Sequence, residues 1–175
     1  MRPEEYLGLE WKDIDFDNKA LSVRRALVAK KGGGFIFTEP KTKKSRRSIP
    51  ISNTLIDALK THRRYQFEER IKLGANYQNF DLVFASEIGT PLFHGNLLRR
   101  HFKPIRDKAE LPKIRLYDLR HTTATLLLSA GENPKVVSER LGHAGIVLTL
   151  DTYSHVLPTM QKRATDKIEK LMLGT

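Results

Sequence analysis

The sequence predicts an α+β fold, mostly helical, with a small three-stranded antiparallel sheet. Three observations carry that expectation. Beyond residue 52 the apolar residues recur at the helical period, as in Leu55, Ile56 and Leu59. Between residues 20 and 51 they alternate instead, and the alternation is cut by two basic tips, KKGGG and KTKKSRR. No internal repeat or low-complexity linker interrupts the 175 residues, which read as one unit.

The elements follow in order. The chain opens MRPEEYLGLEW, with Arg2 at the mouth of a helix. Pro3 presets φ for the first turn, and Glu4 and Glu5 face the positive end of the helix dipole. Tyr6, Leu7 and Leu9 give this helix an apolar side, Gly8 keeps it short, and Trp11 is a core anchor in the turn-rich exit WKDIDFDNK. ALSVRRALV alternates through Leu21, Val23, Arg25 and Leu27 and reads as one half-buried strand. FIFTEP is the second strand and SIPI the third. Ser52 or Asn53 can cap a long helix that runs to Ile71. LVFAS is a short apolar extended piece. Gly95 and Asn96 precede a helix, LLRRHFKPIRDKAEL, bent or interrupted at Pro104, and LPKIRLY is an extended connector. An apolar helix runs from Asp118 to Ala130 and stops at Gly131. Asn133 caps the next helix, Pro134 starts it and Gly142 ends it. TLDTYSH is a short helical turn. TMQKRATDKIEKLML is a final amphipathic helix, with Met160, Ile168, Leu171 and Met172 on an apolar side expected to pack on its own core.

The charge narrows the function. The net charge is +11 and the pI about 9.9, a balance that fits a polyanionic partner. No apolar run approaches the roughly 18 residues needed to cross a bilayer, and Glu4 and Glu5 break any signal-peptide pattern. Without cysteine there are no disulfides and no thiolate metal sites, so a reducing cytosol is compatible. The GGG tip lacks the Lys-Ser/Thr of a phosphate-cradling loop, the six histidines have no helical metal-ligand spacing, and no Gly-x-Ser-x-Gly elbow occurs. What remains is a set of basic and phenolic residues suited to phosphoryl transfer without metal. That chemistry needs fixed cations on the non-bridging oxygens, a nucleophile and a general acid. Arg120 and His121 sit in the first turn of an apolar helix, where cations oppose the dipole. His143 follows a glycine turn, and Tyr153 lies in a short helix. Each alone has a plain reading: solvating charges, a C-capping histidine, a half-buried core tyrosine.

Together, DLRHTTATLLLSAG, PKVVSERLGH and TLDTYSHV, in this order and spacing, resemble the tyrosine recombinase family, the integrases and resolvases of phages and mobile elements. PKTKKSRRSIPIS is similar to that family's β-hairpin with its catalytic lysine, and RPEEYLGLEWKDIDF to its first arginine box. The resemblance covers essentially the whole chain and implies a tyrosine recombinase-like catalytic domain over residues 1–175. It implies that this domain lacks its first helix and the N-terminal core-binding domain, since Arg2 falls on the family's first catalytic arginine.

By the same resemblance Tyr153 is the nucleophile, forming a 3′-phosphotyrosyl bond without metal, ATP or other cofactor. Arg2 and Arg120 clamp the phosphate, and His143 gives it a hydrogen bond. Lys41 protonates the leaving 5′-oxygen, with Lys43 its nearest rival. Lys43, Lys44, Arg46 and Arg47 neutralise DNA backbone. Tyr117 stands where the family usually has histidine. A phenol there keeps a positioning role and loses most of the acid–base role, because it is a poor proton acceptor near neutrality. His121, about 100° round the helix from Arg120, reads as structural or DNA-facing, and His155 as packing near a helix end. The implied partners are double-stranded DNA and further copies of the chain in a tetrameric synapse, and the implied setting is the cytoplasm, at the nucleoid. The final helix can also dock on a neighbouring protomer. Competing readings are a truncated, non-catalytic DNA-binding relic, because an arginine at residue two has little to anchor it, and, further off, a type IB topoisomerase.

Overall fold

The structure, a computed structural model, describes residues 1–39, 45–154 and 157–174. Lys41, Lys43, Lys44 and His155 lie outside the described residues, as does the side chain of Met160. Where the pattern reads as a single unit, the contacts divide the chain into two, Met1–Leu116 and Tyr117–Thr175, at the end of the extended connector.

In the first unit a short helix α1 (Pro3–Leu7) leads into strands β1 (Ile14–Asp15), β2 (Ala20–Val23), β3 (Ala26–Ala29), β4 (Phe35–Thr38) and β5 (Arg47–Pro50). The expected three-stranded antiparallel sheet is present, but its membership differs. Its order is β1-β2-β5, and β3 and β4 form a separate two-stranded ribbon. Leu21 pairs with Ile49 and Val23 with Arg47, while Leu27 pairs with Phe37. ALSVRRALV is therefore two strands, broken at Arg24–Arg25. The cause is Arg25, whose guanidinium meets Asp13 at 2.9 Å and Glu10 at 2.7 Å. The Asp13 side chain is almost wholly buried, so its charge needs that partner, and the backbone leaves the ladder to supply it.

Helix α2 (Asn53–Leu73) is capped by Ser52, whose hydroxyl accepts from the Leu55 N–H. It lays Ile56 and Leu59 inward. The core joins Leu59 to Leu9, Trp11, Ile14, Leu21, Val23, Ile49 and Val83, each such buried side chain contributing on the order of 1.5–3 kcal/mol. Trp11 is the anchor expected: its indole N–H donates to Gln66 Oε1 at 2.7 Å, and Gln66 in turn donates to the Leu82 carbonyl. LVFAS is extended, with bridges from Leu82 to Glu10 and from Ala85 to Pro91. Helix α3 (His94–Asn96) passes through a π-turn (Leu97–Phe102) into α4 (Lys103–Lys108). Pro104 does not cut this helix. The widened turn precedes it, and Pro104 falls at the start of α4, where a missing N–H matters least.

The second unit is helical: α5 (Asp118–Ser129), α6 (Pro134–Leu141), α7 (Ile146–Thr152) and α8 (Leu157–Leu173). Asn133 accepts from the Lys135 N–H and Gly142 takes the left-handed conformation, so α6 starts and stops where its sequence says. Ala124, Leu128, Val137, Leu141 and Tyr153 form the core of this unit. Along α8, Ile168, Leu171 and Met172 are exposed, Leu171 by 86%, so these three do not pack on the unit's own core as expected. No helix among the described residues is long and apolar enough to cross a membrane.

Candidate active site

The second unit gathers four chemically active side chains, Arg120, His121, His143 and Tyr117, about one phenol. Tyr153 caps the end of α7, its N–H bonded to the Thr149 carbonyl. Its ring packs among Ala124, Leu128, Val137 and Leu141 and is only 2% exposed. Its hydroxyl lies 2.9 Å from His121 Nδ1. Burial pushes the phenol above its usual value of 10.0; the Arg120 charge opposes that rise and Tyr117 adds to it.

Arg120 is buried too, and α6 explains how it is tolerated. Its Nη2 donates to the Leu141 carbonyl at 2.6 Å. That carbonyl belongs to the last turn of α6, where acceptors lack helical partners and the dipole favours a cation. An arginine that opposes the dipole of its own helix thus serves the carboxyl end of the next.

His143 follows the Gly142 turn, and its N–H closes back on the Ser138 carbonyl at 3.0 Å. Its Nδ1 meets the hydroxyl of Thr149, a fully buried residue, at 2.8 Å. Ser138 holds the same turn by donating to the Gly145 carbonyl. Tyr117, at the amino end of α5, sets its ring edge against His121 with 5.1 Å between centroids.

His121 is the residue that sequence reasoning placed elsewhere. Its 100° offset from Arg120 does not turn it away from the site. Arg120 reaches α6 and His121 reaches α7, and one helix face serves both neighbours. The signal available was the histidine's place in the first turn of an apolar helix, but which element it would meet is not written in α5.

The first unit holds the other candidates. Arg2 precedes α1; its backbone N–H donates to Glu5 Oε2 at 2.7 Å and its Nη1 to Oε1 at 3.1 Å. Arg47 grips the same carboxylate with both nitrogens, at 3.1 and 2.9 Å, and also donates to the Ser45 carbonyl. The Arg47 side chain is 7% exposed, so in this fold it is a buried clasp rather than a surface cation for DNA backbone. Arg46 is exposed and pairs with Glu39. Among the described residues no group of histidine, aspartate or glutamate could hold a metal ion.

The phage integrase family matches residues 1–160, and the chain belongs to that family. It is 39% identical over 184 residues to a XerC-like tyrosine recombinase of Caldanaerobacter subterraneus, covering 99% of this chain and 47% of the relative. It is 33% identical to the ICEBs1 integrase of Bacillus subtilis, covering 98% and 46%. The fold matches the Tn1549 transposon integrase in complex with transposon right end DNA, with a TM-score of 0.77 and 27% identity over 95% of this chain and 54% of that one. The chain spans about half the length of the relatives it matches.

Proposed function

We propose that this chain carries the catalytic residues of a site-specific DNA recombinase or integrase that cuts and rejoins duplex DNA through a 3′-phosphotyrosyl intermediate. The observation that supports it most is the Tyr153 phenol, seated between Arg120, His121 and the His143 turn in one small core. A tyrosine serving only as packing has no need of that company.

In this reading the Tyr153 oxygen attacks the scissile phosphorus and the bond to the 5′-oxygen breaks. Arg120 and Arg2 bind the non-bridging oxygens, whose charge grows in the transition state. A hydroxyl donating to His143 Nδ1 keeps the proton of the neutral ring on Nε2, the nitrogen that would donate to the phosphate. Lys41 protonates the departing 5′-oxygen. The phosphodiester's energy is retained in the phosphotyrosyl bond, so attack by a 5′-hydroxyl reseals DNA without ATP. Arg46 and the lysines of the basic tip neutralise backbone phosphates. The exposed stripe of α8 docks on a neighbouring copy in a tetrameric synapse on DNA, which sets the protein's work at the nucleoid.

The test is a pool of nicked suicide duplexes with randomised arms, incubated with the chain and resolved on a denaturing gel. A covalent protein–DNA band that disappears in Tyr153→Phe is the expected result. A chain that shifts the DNA in a native gel and forms no covalent band is a DNA-binding module instead.

A further inference from the structure

The site poses a problem of proton balance. A neutral phenol is a weak nucleophile, and burial favours the neutral form of Tyr153. Tyr117, at the position where a histidine would serve as proton acceptor, is itself a phenol, and its ring lies against His121. His143 has its Nδ1 committed to Thr149. A base does lie on the phenol oxygen: His121.

We propose that His121 is the general base for Tyr153, its Nδ1 taking the phenol proton as the oxygen attacks phosphorus. The inference rests on the recombinase reading above. The distance of 2.9 Å is within the reach a proton transfer requires. With the ring proton on Nε2, Nδ1 presents a lone pair to the hydroxyl. The geometry is held from both sides. α5 and α7 share the core of Ala124, Leu128 and Tyr153, and the Tyr117 ring closes over His121. Arg120, charged and adjacent in sequence, favours the phenolate that the transfer creates.

The step balances. The Tyr153 O–H bond breaks, its proton passes to His121 and the oxygen–phosphorus bond forms. The bond from phosphorus to the 5′-oxygen breaks, and that oxygen takes a proton from the general acid. On rejoining, the 5′-hydroxyl gives its proton back to the deprotonated general acid as its oxygen attacks the phosphotyrosine, and His121 returns its proton to the departing Tyr153. The imidazole of His121 thereby does the work that a histidine at position 117 would otherwise do.

The experiment is chemical rescue. The wild-type chain, His121→Gly and Tyr153→Phe are incubated with the pool of nicked duplexes, with and without imidazole, and covalent adduct is followed over time. His121→Gly is expected to form adduct about 10²–10⁴-fold more slowly than wild type, and imidazole to restore about tenfold or more in proportion to its unprotonated fraction. A histidine that only fills space would leave a defect that no dissolved base repairs. Adduct formation by His121→Gly at the wild-type rate, or a defect insensitive to imidazole in a variant that still binds DNA, overturns the proposal and leaves the recombinase reading standing. A wild-type chain that binds the pool without forming adduct overturns both. Should the glycine variant fail to fold, nitrogen-15 histidine NMR of the wild-type chain decides. An unprotonated His121 Nδ1 whose resonance moves in Tyr153→Phe supports the transfer, and a protonated Nδ1 at neutral pH refutes it.

Discussion

Glu5 is a buried carboxylate that accepts from the Arg2 backbone, from its guanidinium and from both nitrogens of Arg47. Burial alone would raise its pKa. The Arg47 hydrogen bonds, the Arg2 N–H and the two guanidinium charges more than reverse that, and the carboxyl lies below its usual 4.5. A folded value below the unfolded one stabilises the fold above the unfolded value, and that contribution is lost as pH falls through the folded value. Acid below about pH 4.5 is therefore expected to loosen the seat of Arg2, and Glu5→Gln to remove that part of the acid dependence in urea melts taken across pH. Arg47→Met is expected to cost about 3 kcal/mol at neutral pH, because it leaves the carboxylate buried with Arg2 alone. An unchanged urea midpoint would show that Arg47 is not the clasp. The sequence displays Glu5 as a first-turn acid and Arg47 as one more cation beside a basic tip. Their pairing across 42 positions is a fact of tertiary structure, and no local pattern holds it. His121 and Tyr153, 32 positions apart, were hidden for the same reason.

At the scale of elements, local signals read true where the chemistry was local. Ser52, Asn133 and Gly142 cap as expected because a cap depends on the few residues beside it. Period-two alternation misled over ALSVRRALV, since alternation marks which side chains face inward but not whether the ladder is continuous; Arg25 broke it for the sake of Asp13. Gly8 was legible only as a weak helix residue. In the fold it lets α1 approach β3, and a Cβ there would stand 2.9 Å from the Leu27 nitrogen and 3.2 Å from the Ala26 carbonyl carbon. Those are backbone atoms and cannot swing aside. Gly8→Ala is expected to destabilise the first unit by about 1–3 kcal/mol despite alanine's better helix propensity. A stabilised variant would mean that the backbone yields easily and that the close approach is not a constraint.

For the whole molecule, charge and hydropathy point to different partners. The +11 net charge fits DNA, and binding that depends on phosphate neutralisation must weaken steeply as salt rises. The stripe on α8 cannot be explained that way. Ile168, Leu171 and Met172 fall at helical spacings on one side, and they stay exposed together with Leu173. Burying such side chains is worth on the order of 1.5–3 kcal/mol each, a driving force that a second copy of the chain could supply once DNA has brought copies side by side. Sedimentation with a duplex long enough for several copies tests this. The wild-type chain is expected to form complexes holding more than one protomer. The pair Leu171→Glu and Met172→Glu is expected to stop at one protomer per DNA, while the Tyr153 adduct still forms on a nicked duplex, since α8 supplies no residue to the chemistry proposed above. A charged variant that assembles like the wild type would show that the stripe contributes nothing to assembly, and that copies meet through DNA alone.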